Sequence, residues 1–169
     1  MIDDATIPGL FGSQPFDDEG VPSRRTVVIE NGVLKSYLLN CYTARKLGMK
    51  TTGSASRGIT GNASVGHGNF FLVKGVETPG SMIKSLKNGF YVTELIGSGV
   101  NIVTGDYSQG ATGVWIENGE LAYPVSEVTI AANLKDILKN IQAVGSDLEF
   151  RWSMASPTLL IGEMTVSGT

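Results

Sequence analysis

The chain has 169 residues, 41% of them hydrophobic and 17% charged, which is long and apolar enough for a self-sufficient core and unlike a disordered tail. A formal charge of −3, with no block of Lys or Arg, argues against a phosphate-binding face and so against direct nucleic-acid contact. One cysteine, Cys41, excludes an internal disulfide, and no run of eighteen apolar residues offers a membrane span.

Residues 1–25 carry turn after turn: Pro8-Gly9, Gly12-Ser13, Gly20 and Pro22, with the acidic run Asp17-Asp18-Glu19 among them. No apolar period runs through them, so they read as an extended lead-in. Its Ile7, Leu10, Phe11 and Phe16 have no element of their own to pack, as in part of a longer polypeptide. The N-terminus lacks the basic and apolar regions of a signal peptide, which sets a cytoplasmic expectation.

Thr26–Tyr37 reads as a hairpin around Asn31-Gly32, the pair that best tolerates the positive φ of a type I′ turn. Asn40 then caps a short helix through Ala44 and Leu47, closed by Gly48 in the left-handed position. Five glycines between Gly53 and Gly68 mark a loop, and Asn69–Gly75 a strand. Thr78-Pro79 starts a second helix, with Met82, Ile83, Leu86 and Phe90 at helical spacing and Gly89 as its end. Phe90–Leu95 is β-branched and aromatic enough for a strand.

The stretch Val100–Pro124 organises the rest. It reads as hairpin arms around a glycine-rich turn at Gly105–Gly113 and a second turn at Asn118-Gly119. Ile116-Glu117-Asn118-Gly119 repeats Ile29-Glu30-Asn31-Gly32, by duplication or by reuse of a good turn. Val128–Ile130 is a short strand. Leu134, Ile137, Leu138 and Ile141 fall at i, i+3, i+4 and i+7 behind an Asn133 cap, predicting a helix with one face in the core. Leu148–Trp152 and Leu159–Val166 are the last strand candidates. The pattern is α+β: one β-rich domain, 1–169, of mostly antiparallel sheets built from hairpins with two or three short helices.

Chemistry-bearing residues are few. His67 is the single histidine, and there is no H-E-x-x-H, no closely spaced cysteine pair and no G-x-S-x-G. His67 and Cys41 cannot hold zinc without carboxylates, and no spacing recommends any. The acidic turn Asp17-Asp18-Glu19 is either a solvated charge run or a contact for a cation or substrate amine. The Gly53–Gly68 loop lacks the Lys-Ser/Thr pair and helix of a phosphate loop, so it reads as mobile or substrate-lining, with His67 its best polar contact. Cys41 reads as a small buried residue rather than a nucleophile. Asn62-Ala63-Ser64 is a formal glycosylation sequon, of little meaning in a cytoplasmic protein.

Longer phrases are more specific. FDDEGVP at Phe16–Pro22, Arg25-Thr26, IENGVLKSYLLN with Thr43–Gly48 and Thr52-Gly53, TGDYSQGATGVWIENGELAYPVSEVTIAANLKDIL, and Val144–Asp147 together resemble the C-terminal part of the TldD/PmbA family, often labelled modulators of DNA gyrase. The TGDYS and TIAANLKD wording is more similar to the PmbA (TldE) branch. The resemblance implies a cytoplasmic prokaryotic member of a zinc metallopeptidase family, whose subunits form dimers that degrade unfolded proteins or mature peptide antibiotics. It also implies that the zinc of TldD-type relatives is bound by an H-E-x-x-x-H helix ahead of this region and by a C-terminal cysteine. Neither carries over: the segment Arg151–Thr158 has no cysteine, and Cys41 lies elsewhere.

The expectation is therefore a scaffolding, dimerisation and substrate-contact domain with no catalytic residue, metal ligand or cofactor of its own. Its partner is a second copy or a TldD-type subunit. Its substrate is a peptide or unfolded protein, and the gyrase label describes a pathway effect. The substrate-contact candidates are Asp17, Asp18, Glu19, Arg25, Gly53 and His67. The alternative is a stand-alone module that has lost its peptidase half and binds partners through exposed sheet edges.

Overall fold

The structure, a computed structural model, describes residues 1–168, which fall into two compact units. The first contains Met1–Lys74 and Leu148–Pro157, the second Gly75–Asp147 and the segment from Thr158 onward. In chain order the first unit holds β1 (Ile2–Asp4), β2 (Arg25–Val27), β3 (Ile29–Glu30), β4 (Val33–Leu34), α1 (Cys41–Lys46), β5 (Ala55–Ser56), β6 (Ser64–Val65) and β7 (Phe70–Phe71). The second unit follows with α2 (Pro79–Ser85), β8 (Asn88–Ile96), β9 (Asp106–Glu117), β10 (Glu120–Asn133), α3 (Leu134–Lys139) and β11 (Ile141–Val144). The chain returns to the first unit for β12 (Met154–Ala155) and ends in the second with β13 (Leu159–Ile161) and β14 (Thr165–Ser167).

In the first unit, β1 lies inside a four-stranded sheet of order β12-β7-β1-β2, in which only the β12–β7 pairing is parallel. The lead-in reading of residues 1–25 is thus corrected at its start, where Ile2, Asp3 and Asp4 form a buried strand. Two adjacent carboxylates mask its apolar signal. Both are paired locally or across the unit: Asp3 Oδ1 accepts from Gly68 N at 2.8 Å and Asp4 Oδ1 from Thr6 N at 2.9 Å.

The first hairpin is smaller than predicted. Asn31 and Gly32 take the expected positive φ of 50° and 75°, but only β3 and β4 pair across them, while Arg25–Val27 pairs with β1. Helix α1 forms as predicted. Asn40 Oδ1 accepts from Thr43 N at 2.8 Å, Thr43 Oγ1 answers the Asn40 N–H at 3.1 Å, and Gly48 sits at φ +64°. The glycine loop after Gly53 contains the two-residue β5–β6 ladder, and the strand expected at Asn69–Gly75 is only Phe70–Phe71.

The second unit is built on the antiparallel sheet β14-β10-β9-β8, with β11 and β13 paired separately. Asn118 and Gly119, at φ 50° and 82°, join twelve-residue β9 to fourteen-residue β10, so the organising hairpin is longer than predicted and absorbs Val128–Ile130. The glycine-rich turn at Gly105–Gly113 is a correction, because Gly110 and Gly113 lie inside β9. Glycine is there for room: a side chain at Gly113 would strike the Tyr91 carbonyl of β8. Helix α2 starts at the Thr78 cap but ends at Ser85, and Gly89 belongs to β8.

Helix α3 is shorter than its apolar spacing promised. Asn133 caps it, Asn140 ends it, and Ile141 enters β11. No residue of α3 is buried, and Leu138 is 61% exposed, which corrects the expected core face. Leu148–Trp152 forms no strand, and Leu159–Val166 breaks at Gly162–Met164 into β13 and β14. Ala111, Val128 and Ile130 form the sheet's core, with Phe90, Val92, Tyr107, Val125 and Met164 packed against it.

Candidate functional site

Asp17 is 1% exposed, and both its carboxylate oxygens are engaged by the backbone. Oδ1 accepts from Glu19 N at 3.0 Å and Val21 N at 2.9 Å, closing its own turn, and Oδ2 accepts from Ala55 N at 2.9 Å, tying that turn to β5. The neighbouring carboxylates continue the clasp from the surface. Asp18 Oδ2 accepts from Arg57 N at 2.7 Å, and Glu19 Oε2 accepts from Cys41 N, the first residue of α1, at 2.7 Å. The acidic turn thus holds the start of the glycine loop and the start of helix α1, and charge-assisted bonds of this kind are stronger than neutral ones.

Gly53 belongs to the same assembly. It sits at φ +68°, and a side chain there would press on the Pro22 carbonyl. Asp17, Asp18, Glu19 and Gly53 are therefore brought together. His67 and Arg25 are not joined to them by hydrogen bonds. The exposed His67 ring has Nδ1 2.9 Å from the Gly68 carbonyl, and Arg25 lies opposite Asp4 in the β1–β2 ladder. Residues 57–62, in the loop that joins β5 to β6, are exposed, with Ile59 fully in solvent.

Sequence reasoning missed Asp3 and Asn69. Burial pushes the Asp3 carboxyl above its ordinary pKa, against the Gly68 N–H and the His67 ring, which both favour the ionised form. Asn69 is wholly buried; its Nδ2 donates to the Asp4 carbonyl at 2.8 Å and its Oδ1 accepts from Gly12 N at 2.9 Å. Their partners lie 65 and 57 residues away, so no local pattern marks them.

Among the described residues no three His, Cys, Asp or Glu side chains converge. The Asp17 oxygens are taken by backbone N–H groups, and the Glu19 carboxylate beside the half-buried Cys41 thiol holds its pKa above the usual thiol range, disfavouring the thiolate a metal needs.

A family profile described as the PmbA/TldA metallopeptidase C-terminal domain matches residues 1–168. The chain belongs to the TldD/PmbA family. It is 47% identical over 158 residues to the metalloprotease PmbA of Escherichia coli O157:H7, covering 94% of this chain and 33% of that protein. A metalloprotease PmbA homolog of Haemophilus influenzae is 44% identical over 160 residues, with the same coverage of both chains. The crystal structure of TldE from Thermococcus kodakarensis superposes with a TM-score of 0.89 at 27% identity, covering 99% of this chain and 39% of that one. A Thermotoga maritima protein described as a modulator of a DNA gyrase gives 0.88 at 37% identity, covering 98% of this chain and 38% of that one. The chain thus spans about a third of the length of the curated PmbA relatives it matches. No helix of the described residues is long and apolar enough to cross a membrane.

Proposed function

We propose that this TldD/PmbA domain is a scaffolding, dimerisation and substrate-contact element in metal-dependent proteolysis or peptide maturation, working in a prokaryotic cytoplasm beside a TldD-type subunit that supplies the zinc. The observation that carries this reading is the acidic clasp: buried Asp17 anchors a turn whose exposed neighbours Asp18 and Glu19 stand fixed at the root of the exposed residues 57–62. A rigid mount with polar groups at its surface suits a peptide held for cleavage by another chain's metal. The names of the relatives, metalloprotease PmbA and TldE, support the setting. The gyrase label fits turnover of a protein that acts on gyrase, since the net charge of −3 does not favour DNA.

The test is fluorescence anisotropy with a labelled unfolded peptide, on this chain mixed with a TldD-type subunit. Asp18→Lys combined with His67→Ala weakens binding about tenfold, or ~1.4 kcal/mol, while the melting temperature falls by no more than roughly 4 °C, the cost of one exposed hydrogen bond. Unchanged affinity removes the surface from the substrate path. Sedimentation of the mixture reads the partnership separately. A stand-alone peptide-binding module is the rival, favoured by the unpaired outer edge of nine-residue β8.

A further inference from the structure

A cleft of about 620 Å³ opens in the second unit. Successive residues Asn88–Val92 of β8 line it, as do successive residues Thr158–Met164 around β13. Side chains alternate across a strand, so an unbroken run of lining residues brings backbone as well as side chains to the cleft. Among the described residues each of these strands keeps one unpaired edge: β8 is terminal in its four-stranded sheet, and β13 is paired with β11 alone. Tyr107, Trp115 and Ile130 of the sheet and Leu134 and Ile137 of α3 supply apolar walls. A slot lined by apolar side chains and by two strands that each keep one unpaired edge has the chemistry to take up a further β-strand.

The core around it is short of material. Among the described residues the buried apolar side chains of this unit are Met82, Ala111, Ile116, Val128 and Ile130, two of them on the same short stretch of β10. Helix α3, six residues long, has Leu134 and Ile137 only half-buried and Leu138 exposed, and a helix of that length does not hold itself in water without packing. Such a deficit is permanent, so it calls for a permanent occupant rather than a passing substrate. The PmbA relatives carry twice as much further polypeptide beyond the part matched here.

We propose that this slot is filled by an extended, apolar strand from the two thirds of a PmbA-type polypeptide that lie outside this domain, pairing with the edges of β8 and β13 and covering α3. The proposal concerns the second unit alone and does not depend on the substrate-contact reading of the first. Trp115 lines the slot, and Trp152, the second tryptophan, belongs to the first unit, so Trp152→Phe leaves one reporter indole.

The experiment takes the 169-residue Trp152→Phe chain and overlapping 15-residue peptides covering the first two thirds of the Escherichia coli O157:H7 PmbA sequence, each with a scrambled control. A contiguous set of peptides shifts Trp115 emission to the blue and, near a hundred times Kd, raises the melting temperature by roughly 5–10 °C. Leu160→Glu and Ile137→Asp, each placing a charge on the slot wall, abolish both effects, whereas Val76→Glu, on a residue 91% exposed and outside the slot, keeps them. If one wall variant fails to fold, the other and the native chain still give the answer. Equal protection by scrambled peptides overturns the proposal in favour of general peptide capture. No response from any peptide overturns it outright.

Discussion

Replacing Asp17 and replacing Asp18 have different costs, although the two residues adjoin and carry the same charge. Asp17→Ala strips the acceptor from three backbone N–H groups in a site 1% exposed, and lowers the unfolding free energy by roughly 2–4 kcal/mol. Asp18→Ala removes one bond at an exposed position and costs about 1 kcal/mol or less. Urea denaturation with unchanged slope separates them, and equal losses refute the clasp. Asp3 acts in the opposite sense. Its folded pKa is raised by burial, so the folded state holds the proton to higher pH than the unfolded chain, and stability falls as pH rises from the ordinary carboxylate value through the raised one. Asp3→Asn keeps an acceptor for Gly68 N and cannot ionise. Its stability relative to the parent therefore rises across that window and levels off toward neutrality. A difference that does not vary with pH removes burial as the cause.

At the scale of elements, local signals were legible and distant ones were not. Asn31-Gly32, Asn118-Gly119, the Asn40 cap and the Thr78-Pro79 start each act within a few residues, so their chemistry is visible in sequence. Glycine is ambiguous because it serves either positive φ or lack of room. In β9 it serves room, which is why Gly110 and Gly113 imitate a turn. Gly113→Val forces a side chain against the Tyr91 carbonyl and costs roughly 1–3 kcal/mol. Gly80→Ala, in open space within α2, gains up to ~1 kcal/mol. Equal effects in thermal melts place Gly113 in a turn after all. The end of β11 and the start of β13 are tied by Asp147, whose Oδ2 accepts from Thr158 Oγ1 at 2.7 Å and whose Oδ1 accepts from Thr158 N at 3.0 Å. These bonds, the hydroxyl first, hold the Asp147 pKa below its ordinary value. Its contribution is present above that ordinary value and lost as pH falls through the lowered one. Thr158→Val therefore destabilises at neutral pH, and the difference from the parent shrinks in acid.

For the whole molecule, composition announced a foldable chain and the order of its elements an α+β one, but not where its apolar surface would lie. Period alone assigned α3 a core face, whereas packing leaves Leu138 exposed, because the position of a stripe does not say what covers it. The same holds for Phe11, Ile59, Val76, Ile102 and Val103, all more than 70% exposed. Ile102 and Val103 stand at the turn between β8 and β9, where residues 93–109 contain Glu94 and Asp106 and no Lys or Arg. Two acidic groups repel a second copy weakly, and salt screens that repulsion over about 10 Å at 0.1 M. Apolar contact, by contrast, is not weakened by salt of this kind. The isolated chain should therefore self-associate with rising concentration, and more strongly at 0.5 M than at 0.05 M salt, about threefold or more in the association constant. Ile102→Asp with Val103→Asp returns it toward monomer at both ionic strengths. Analytical ultracentrifugation reads the result: a sedimentation coefficient independent of concentration and salt, in the parent chain, means that this turn is not a contact surface.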